Sequence, residues 1–175
     1  MKSKDIAIVG ILLAIGAILR YFLAMLHTPL TPNMIIAFYC LAIILIRPKI
    51  YEAFGIGVVA GILSMLISSS MFPPANLVSE PLGALVCFGL YVVLKDRIKL
   101  APTVTTFLTT LVSGFSFAAI AIIFVSATVL SKYHGDMWSF VVVFVPIVVI
   151  TAVFNAIIVQ ILYVPANRVL SRGQE

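Results

Sequence analysis

Charged residues are scarce in this sequence, and acidic residues are the scarcest of them. The 175 residues include only six Asp and Glu against eleven Lys and Arg, while 63% of all residues are hydrophobic. A soluble domain of this length could not bury so much apolar surface, whereas a lipid bilayer accommodates it. The composition therefore predicts an integral membrane protein. Because the acidic residues are not spaced regularly along any apolar segment, the proton relay of a pump is not expected.

Motifs for catalysis and for ATP hydrolysis are also absent. The two Cys have no CxxC spacing and the two His have no HExxH spacing, so neither a disulfide nor a metal site is expected. The sequence contains no Gly-x-x-x-x-Gly-Lys-Ser/Thr motif for ATP and no Gly-x-Ser-x-Gly motif for a nucleophile. We therefore predict a protein that is not an enzyme, needs no cofactor and binds no nucleic acid.

Six apolar segments are present, and basic residues mark one side of the series. The segments cover 6–26, 33–46, 51–70, 82–94, 104–130 and 138–164. Nine of the eleven Lys and Arg lie at the termini and in two connections, namely Lys2, Lys4, Arg47, Lys49, Lys95, Arg97, Lys99, Arg168 and Arg172. Cytoplasmic loops carry such an excess of basic residues. The prediction is an all-α, multi-pass cell-membrane protein, a single transmembrane domain over 1–175, with six transmembrane helices and both termini cytoplasmic.

The second and fourth segments are short, and each follows a Pro-rich stretch. These stretches cover residues 28–33 and 72–81. Irregular backbone at membrane depth is tolerated only where protein or a water-filled cavity satisfies its polar groups. Paired short, Pro-interrupted segments indicate the substrate site of a transporter. The alternative, that both stretches are ordinary surface loops, stays open.

The few polar residues near these stretches are the candidates for binding a substrate. They are Arg20, Asn33, Asn76, Glu80 and Asn155. An ionisable group within a membrane usually faces a cavity or a partner. Arg20 would therefore bind a carboxylate and Glu80 an amine, beside the positively polarised N-termini of the second and fourth helices. Aromatic residues nearby in the sequence would supply a wall for a flat ring, namely Tyr21, Phe38 and Phe72.

Each of these candidates also has a structural alternative. Arg20 could extend to the lipid headgroups, and Glu80 could cap a fourth helix whose first residue is Pro81. Asn155 and Gln160 could serve only to join helices.

Two stripes of small residues occur at helical spacing. The first stripe comprises Ala7, Gly10, Ala14 and Ala17, and the second comprises Ala53, Gly57, Gly61 and Ser64. Small side chains allow another helix backbone to approach closely. One stripe could pack within the chain and the other against a partner.

These features resemble those of a known family. The chain resembles an S component, the substrate-binding subunit of an energy-coupling factor (ECF) transporter, and within that group the tryptophan-transporter-like family. The resemblance rests on 10–19, on Pro32-Asn-Met34, on 55–64 and on Pro74-Ala-Asn-Leu-Val-Ser-Glu-Pro81. It implies a vitamin-like or amino-acid substrate such as tryptophan, and as partners a membrane coupling subunit and cytoplasmic ATPases.

The same resemblance implies that the stripe Ala7, Gly10, Ala14 and Ala17 contacts the coupling subunit. Two other functions are compatible with the sequence. One is a self-sufficient, homo-oligomeric transporter or channel, and the other is a membrane scaffold that transports nothing.

Overall fold

A computed structural model describes residues 1–25, 32–131 and 136–172 as six α-helices. They are α1 (Ser3–Ala24), α2 (Ile35–Ile46), α3 (Ile50–Ile67), α4 (Asn76–Leu94), α5 (Ala101–Ser131) and α6 (Met137–Arg172), with a 3₁₀ turn at Pro73–Ala75 just before α4. The three described ranges contain no strand. The predicted all-α class is therefore confirmed.

Five of the six helices are long and apolar enough to cross a membrane, namely α1, α3, α4 with its 3₁₀ turn, α5 and α6. Their outward surfaces carry large apolar side chains such as Leu66, Ile123 and Phe124, each more than 70% exposed. Such a surface would aggregate in water but matches the hydrocarbon of a bilayer. The chain is a multi-pass membrane protein, as its composition predicts.

Helix α2 is the exception, because it has only 12 residues and lies at the centre of the bundle. At 1.5 Å per residue its length is about 18 Å, against a hydrocarbon core of about 30 Å. Ten of its residues are buried, and it contacts all five other helices. An apolar helix is expected in such a position, since the other helices cover all of α2 except its last two residues.

Helix α4 begins earlier than the sequence predicts. The expected segment was 82–94, with Pro81 as a possible first helical residue, but the helix starts at Asn76 and contains Pro81 in its second turn. The 3₁₀ turn leads directly into the helix, and Asn76 Nδ2 donates a 2.8 Å hydrogen bond to the Pro73 carbonyl. The interpretation of Glu80 as a cap before the helix is therefore wrong, because Glu80 lies inside α4.

The second stripe of small residues packs inside the chain. A Cβ added to Gly57 would lie 2.6 Å from Pro81 Cα, and one added to Gly61 would lie 2.7 Å from the Asn76 carbonyl oxygen. Glycine at these positions therefore lets the backbones of α3 and α4 approach closely. The start of α4, with Asn76 and Glu80, is positioned by this contact.

The first stripe, on α1, is different because most of it is exposed. Ala7, Gly10 and Ala14 are exposed, and a Cβ added to Gly10 would have no neighbour within 4 Å. Ala17, at 9% exposure, faces the bundle instead. Three of the four predicted docking residues thus form an open strip on the outer surface of α1.

Alternating helix directions bring both described termini to one end of the bundle. The Met1 amino group binds the Glu52 carboxylate and so joins the start of α1 to the start of α3. The basic residues of the two loops and of the termini belong to this end.

At the opposite end Asp136 caps α6. Its carboxylate accepts hydrogen bonds from the Ser139 N–H at 2.9 Å and the Trp138 N–H at 3.2 Å. These hydrogen bonds, of which those from Ser139 have the largest effect, hold the pKa of the Asp136 carboxyl below its usual range.

Candidate functional site

A cavity lies between the helices in the half of the bundle opposite the termini. The space between its lining residues, together with its open mouth, is about 550 Å³. Polar lining comes from α1, α4, α5 and α6 and from the stretches that precede α2 and α4: Arg20, Asn33, Ser70, Asn76, Glu80, Thr110, Ser113 and Thr151. Apolar lining comes mainly from α5 and α6: Gly114, Phe117, Phe144, Ile147 and Val148.

Two opposite charges, Arg20 and Glu80, line this cavity. Their exposed fractions are 3% and 1%, so both are removed from solvent and lipid. Their charged atoms do not approach within the 4.0 Å of an ion pair. Within the described ranges Arg20 Nε and Nη1 also have no hydrogen-bond partner. Two buried guanidinium nitrogens without hydrogen-bond partners are costly, and an anionic group entering the cavity would offset that cost.

The Glu80 carboxylate is held from two sides. Oε1 accepts a 2.6 Å hydrogen bond from Asn33 Nδ2, and Oε2 accepts a 3.2 Å hydrogen bond from Ser113 Oγ. These donors fix the carboxylate between the residue that precedes α2 and the middle of α5. A carboxylate fixed in this way can accept a further hydrogen bond from a cationic group in the cavity.

Asn155 lies behind the cavity and supports Asn33. Its Nδ2 donates to the Asn33 carbonyl at 3.1 Å and to Thr110 Oγ1 at 3.2 Å. Asn155 is fully buried and is not itself a lining residue. It therefore joins α6 to α5 and to the start of α2, and it reaches the site through Asn33 and Thr110.

The three aromatic residues proposed from the sequence do not line the cavity. Tyr21 is 55% exposed on the outer surface of α1, because one residue along a helix turns the side chain about 100° away from Arg20. Phe38 is buried against Gly16, and Phe72 stacks on Phe124 with ring centroids 5.9 Å apart. The aromatic lining comes instead from Phe117 and Phe144.

The sequence does not predict which residues of α5 and α6 line the cavity. Segments five and six read as uniformly apolar, and their aromatic residues give no sign of which face inward. One available signal was the spacing of Thr106, Thr110 and Ser113 at four and three residues, which places three hydroxyls on one face of a membrane helix. Such a face turns toward protein or a cavity, since lipid offers it no partner.

The described residues of the site are groups suited to binding a ligand, and none of them forms a cluster suited to a metal ion. Among the described residues no three His, Cys, Asp or Glu side chains come together to hold a metal ion. His27 and His134 lie outside the described residues.

The helices and the cavity together define a class: a multi-pass membrane protein with a partly polar cavity between its helices. Comparison of the sequence with known families gives the family. The family described as "Tryptophan transporter TrpP" matches residues 2–171, so this chain belongs to it. This family is one of S components of ECF transporters, so the resemblance seen in the sequence is confirmed.

A relative in Bacillus subtilis (strain 168) supports the same assignment. The chain is 29% identical over 177 residues to its "Probable tryptophan transport protein". The aligned region covers 99% of this chain and 96% of the relative. No solved structure matches the chain.

Proposed function

We propose that this chain captures tryptophan at the outer face of the cell membrane and delivers it as the S component of an ATP-driven ECF importer. Membership of the tryptophan transporter family and the name of the Bacillus relative support this substrate. The observation that carries the proposal is the cavity in which Arg20 and Glu80 are both buried and yet do not pair.

The two unpaired charges are complementary to an amino acid. The α-carboxylate binds a free nitrogen of Arg20 through a charge-assisted hydrogen bond. The α-ammonium binds the Glu80 carboxylate, which Asn33 and Ser113 hold in place. Because the arginine and the glutamate are separate, a zwitterion inserts between them without first breaking an ion pair.

The indole ring occupies the apolar side of the cavity. Phe117 and Phe144 provide aromatic surface there, with Ile147 and Val148 beside them. Aromatic pairs favour offset or edge-to-face contacts in addition to the area they bury. A cavity polar on one side and apolar on the other therefore suits an aromatic amino acid better than a polar one.

Delivery requires partners, because no nucleotide-binding motif is present in the sequence. We propose that the exposed strip Ala7, Gly10 and Ala14 docks against a helix of the membrane coupling subunit, to which cytoplasmic ATPases attach. The basic end of the bundle, with both termini, faces the cytoplasm, as its excess of Lys and Arg favours. The cavity then opens toward the outside, where the substrate is captured.

Reconstitution separates this function from its rivals. The purified chain is expected to bind L-tryptophan and to give no uptake when alone in liposomes. With the coupling subunit and the ATPases, addition of ATP should start uptake. Uptake by the chain alone would indicate a self-sufficient transporter, and failure to bind any amino acid would indicate a scaffold.

A further inference from the structure

We infer that Thr151 accepts the hydrogen bond of the indole N–H and so makes this cavity selective for tryptophan over aromatic amino acids of the same shape that lack that group. The inference rests on the proposed function, since it concerns the ligand of the same cavity.

The hydroxyl of Thr151 is oriented as an acceptor. Thr151 lines the cavity, and its Oγ1 donates a 2.7 Å hydrogen bond to the Ile147 carbonyl one turn earlier in α6. That bond uses the only proton of the hydroxyl, while the oxygen retains lone pairs. Among the described residues no donor is bonded to this oxygen. The oxygen therefore keeps the capacity to accept a hydrogen bond from a ligand.

The other hydroxyls of the lining either accept a hydrogen bond already or lie beside the Glu80 carboxylate. Thr110 Oγ1 donates to the Thr106 carbonyl and accepts from Asn155. Ser113 Oγ, like Thr151, donates its proton, but it donates to Glu80 and so lies where the ammonium of the ligand is expected. Ser70 Oγ accepts a 2.6 Å hydrogen bond from Ser68. Of the amide acceptors, Asn33 Oδ1 already accepts a 3.2 Å hydrogen bond from the Ile35 N–H, and Asn76 lies one turn before Glu80 on α4.

The position of Thr151 separates it from the groups that hold the amino acid's charges. It follows Phe144, Ile147 and Val148 along α6, the helix that supplies much of the apolar lining. Arg20, Asn33 and Glu80 belong to other elements of the cavity. A ligand with its ammonium at Glu80 and its ring on the apolar side therefore presents the ring N–H to an acceptor on α6. Thr151 Oγ1 is the described side-chain acceptor on that helix within the lining.

Specificity follows from the penalty for an unpaired donor. An indole N–H buried without an acceptor loses its bond to water and gains nothing in return. Replacement of the N–H by sulfur, as in β-(3-benzothienyl)-L-alanine, keeps the shape of the ring and removes the donor. A site that accepts from the N–H discriminates against such an analogue, whereas a purely apolar slot binds both ligands similarly.

The test uses isothermal titration calorimetry on the full chain in detergent, with L-tryptophan and the benzothienyl analogue as ligands. The parent chain is expected to prefer tryptophan by about tenfold or more. Thr151→Val, which keeps the size and removes the hydroxyl, should weaken tryptophan binding by about tenfold and change analogue binding by less than about twofold. Thr151→Ser keeps the acceptor and should preserve the preference.

Each result has a separate meaning. Equal affinity of the parent chain for the two ligands overturns the role of Thr151 whether or not the variants fold. Thr151→Val could also weaken the binding of tryptophan and of the analogue by the same factor while eluting as a monodisperse peak. That result overturns the role of the hydroxyl, because the packing of Thr151 would then explain the loss. If the parent chain binds the analogue but not tryptophan, the proposed substrate itself is wrong.

Discussion

Asn33 donates a 2.6 Å hydrogen bond from Nδ2 to Glu80 Oε1 and so joins the residue that precedes α2 to the second turn of α4. The two residues are 47 positions apart, and each lies within a Pro-rich stretch of the sequence. The Asn33 carbonyl is in turn held by Asn155 on α6. The Glu80 carboxylate, which is the acidic group of the proposed tryptophan site, is therefore joined to the start of α2 directly and to α6 through Asn33.

This network predicts that Asn155 stabilises the bundle. Asn155→Ala removes two hydrogen bonds, to the Asn33 carbonyl and to Thr110, and leaves the buried carbonyl unsatisfied. We expect a loss of about 1–2 kcal/mol in the free energy of unfolding. Thermal unfolding in detergent measures it. Phe154→Leu, at a neighbouring residue that is 57% exposed, is the matched control and should unfold close to the parent temperature. Equal destabilisation by the two variants would contradict the network.

The contact between α3 and α4 gives a second prediction from two glycines on one helix. In Gly57→Ala the new methyl would lie 2.6 Å from Pro81 Cα and 2.7 Å from Ala84 Cβ, so α4 must shift. Overpacking of this kind costs about 1–3 kcal/mol and should lower the melting temperature clearly. Gly55→Ala, which meets nothing within 4 Å, should leave stability unchanged or slightly raised. If both variants melt at the same temperature, the close approach of the two helices is not real.

The exposed strip on α1 gives a prediction about coupling. Ala14→Trp fills the strip with a bulky ring, which should abolish uptake by the reconstituted complex and leave tryptophan binding by the isolated chain within about twofold of the parent. The reason is that only small side chains permit close helix approach. Ile15→Trp, about 100° further around the same exposed helix, is the control and should retain uptake. Equal loss of binding and uptake in Ala14→Trp would mean that Ala14 serves internal packing.

The distribution of charge predicts the orientation in the membrane. With Cys40 and Cys87 replaced by Ala, Lys49→Cys and Arg97→Cys should be protected from an impermeant thiol reagent added to intact cells. Ser131→Cys, exposed at the opposite end of α5, should react. The prediction follows from the excess of basic residues in cytoplasmic loops. Labelling at the two basic loops together with protection of residue 131 would reverse the orientation.

The polar residues of the site were predictable from the sequence because the membrane makes them conspicuous. The cavity is lined by Arg20, Asn33, Asn76 and Glu80. Polar and charged side chains within a membrane protein usually face a cavity or a partner, because lipid cannot bind them. Their convergence depends on the helix order, which short connections between alternating helices largely determine. Which of the two small-residue stripes packs inside the chain was not predictable, because both stripes show the same spacing of small residues. The positions of Gly57 and Gly61 against α4 distinguish them.

The aromatic lining was not predictable from sequence proximity. Tyr21 adjoins Arg20 in the chain but points outward, whereas Phe117 and Phe144 come from helices far along the sequence. In a helix that lipid and protein both surround, apolar side chains can face either one, so their pattern does not reveal the inner face. The start of α4 at Asn76 was not predictable for another reason. Pro73 and Pro74 begin a 3₁₀ turn that continues into the helix instead of interrupting it.

The central claim is that Arg20 and Glu80 bind the two charged groups of tryptophan, and calorimetry on charge-removing variants tests it most directly. The parent chain should bind L-tryptophan, and Arg20→Gln and Glu80→Gln should each weaken binding by about 2–5 kcal/mol, or roughly 30- to several-thousand-fold. Arg20→Gln should lose the discrimination between tryptophan and its amide, and Glu80→Gln that between tryptophan and its deaminated acid. If both variants, folded and monodisperse, bind tryptophan within about threefold of the parent, the two charges do not hold the substrate and the site lies elsewhere.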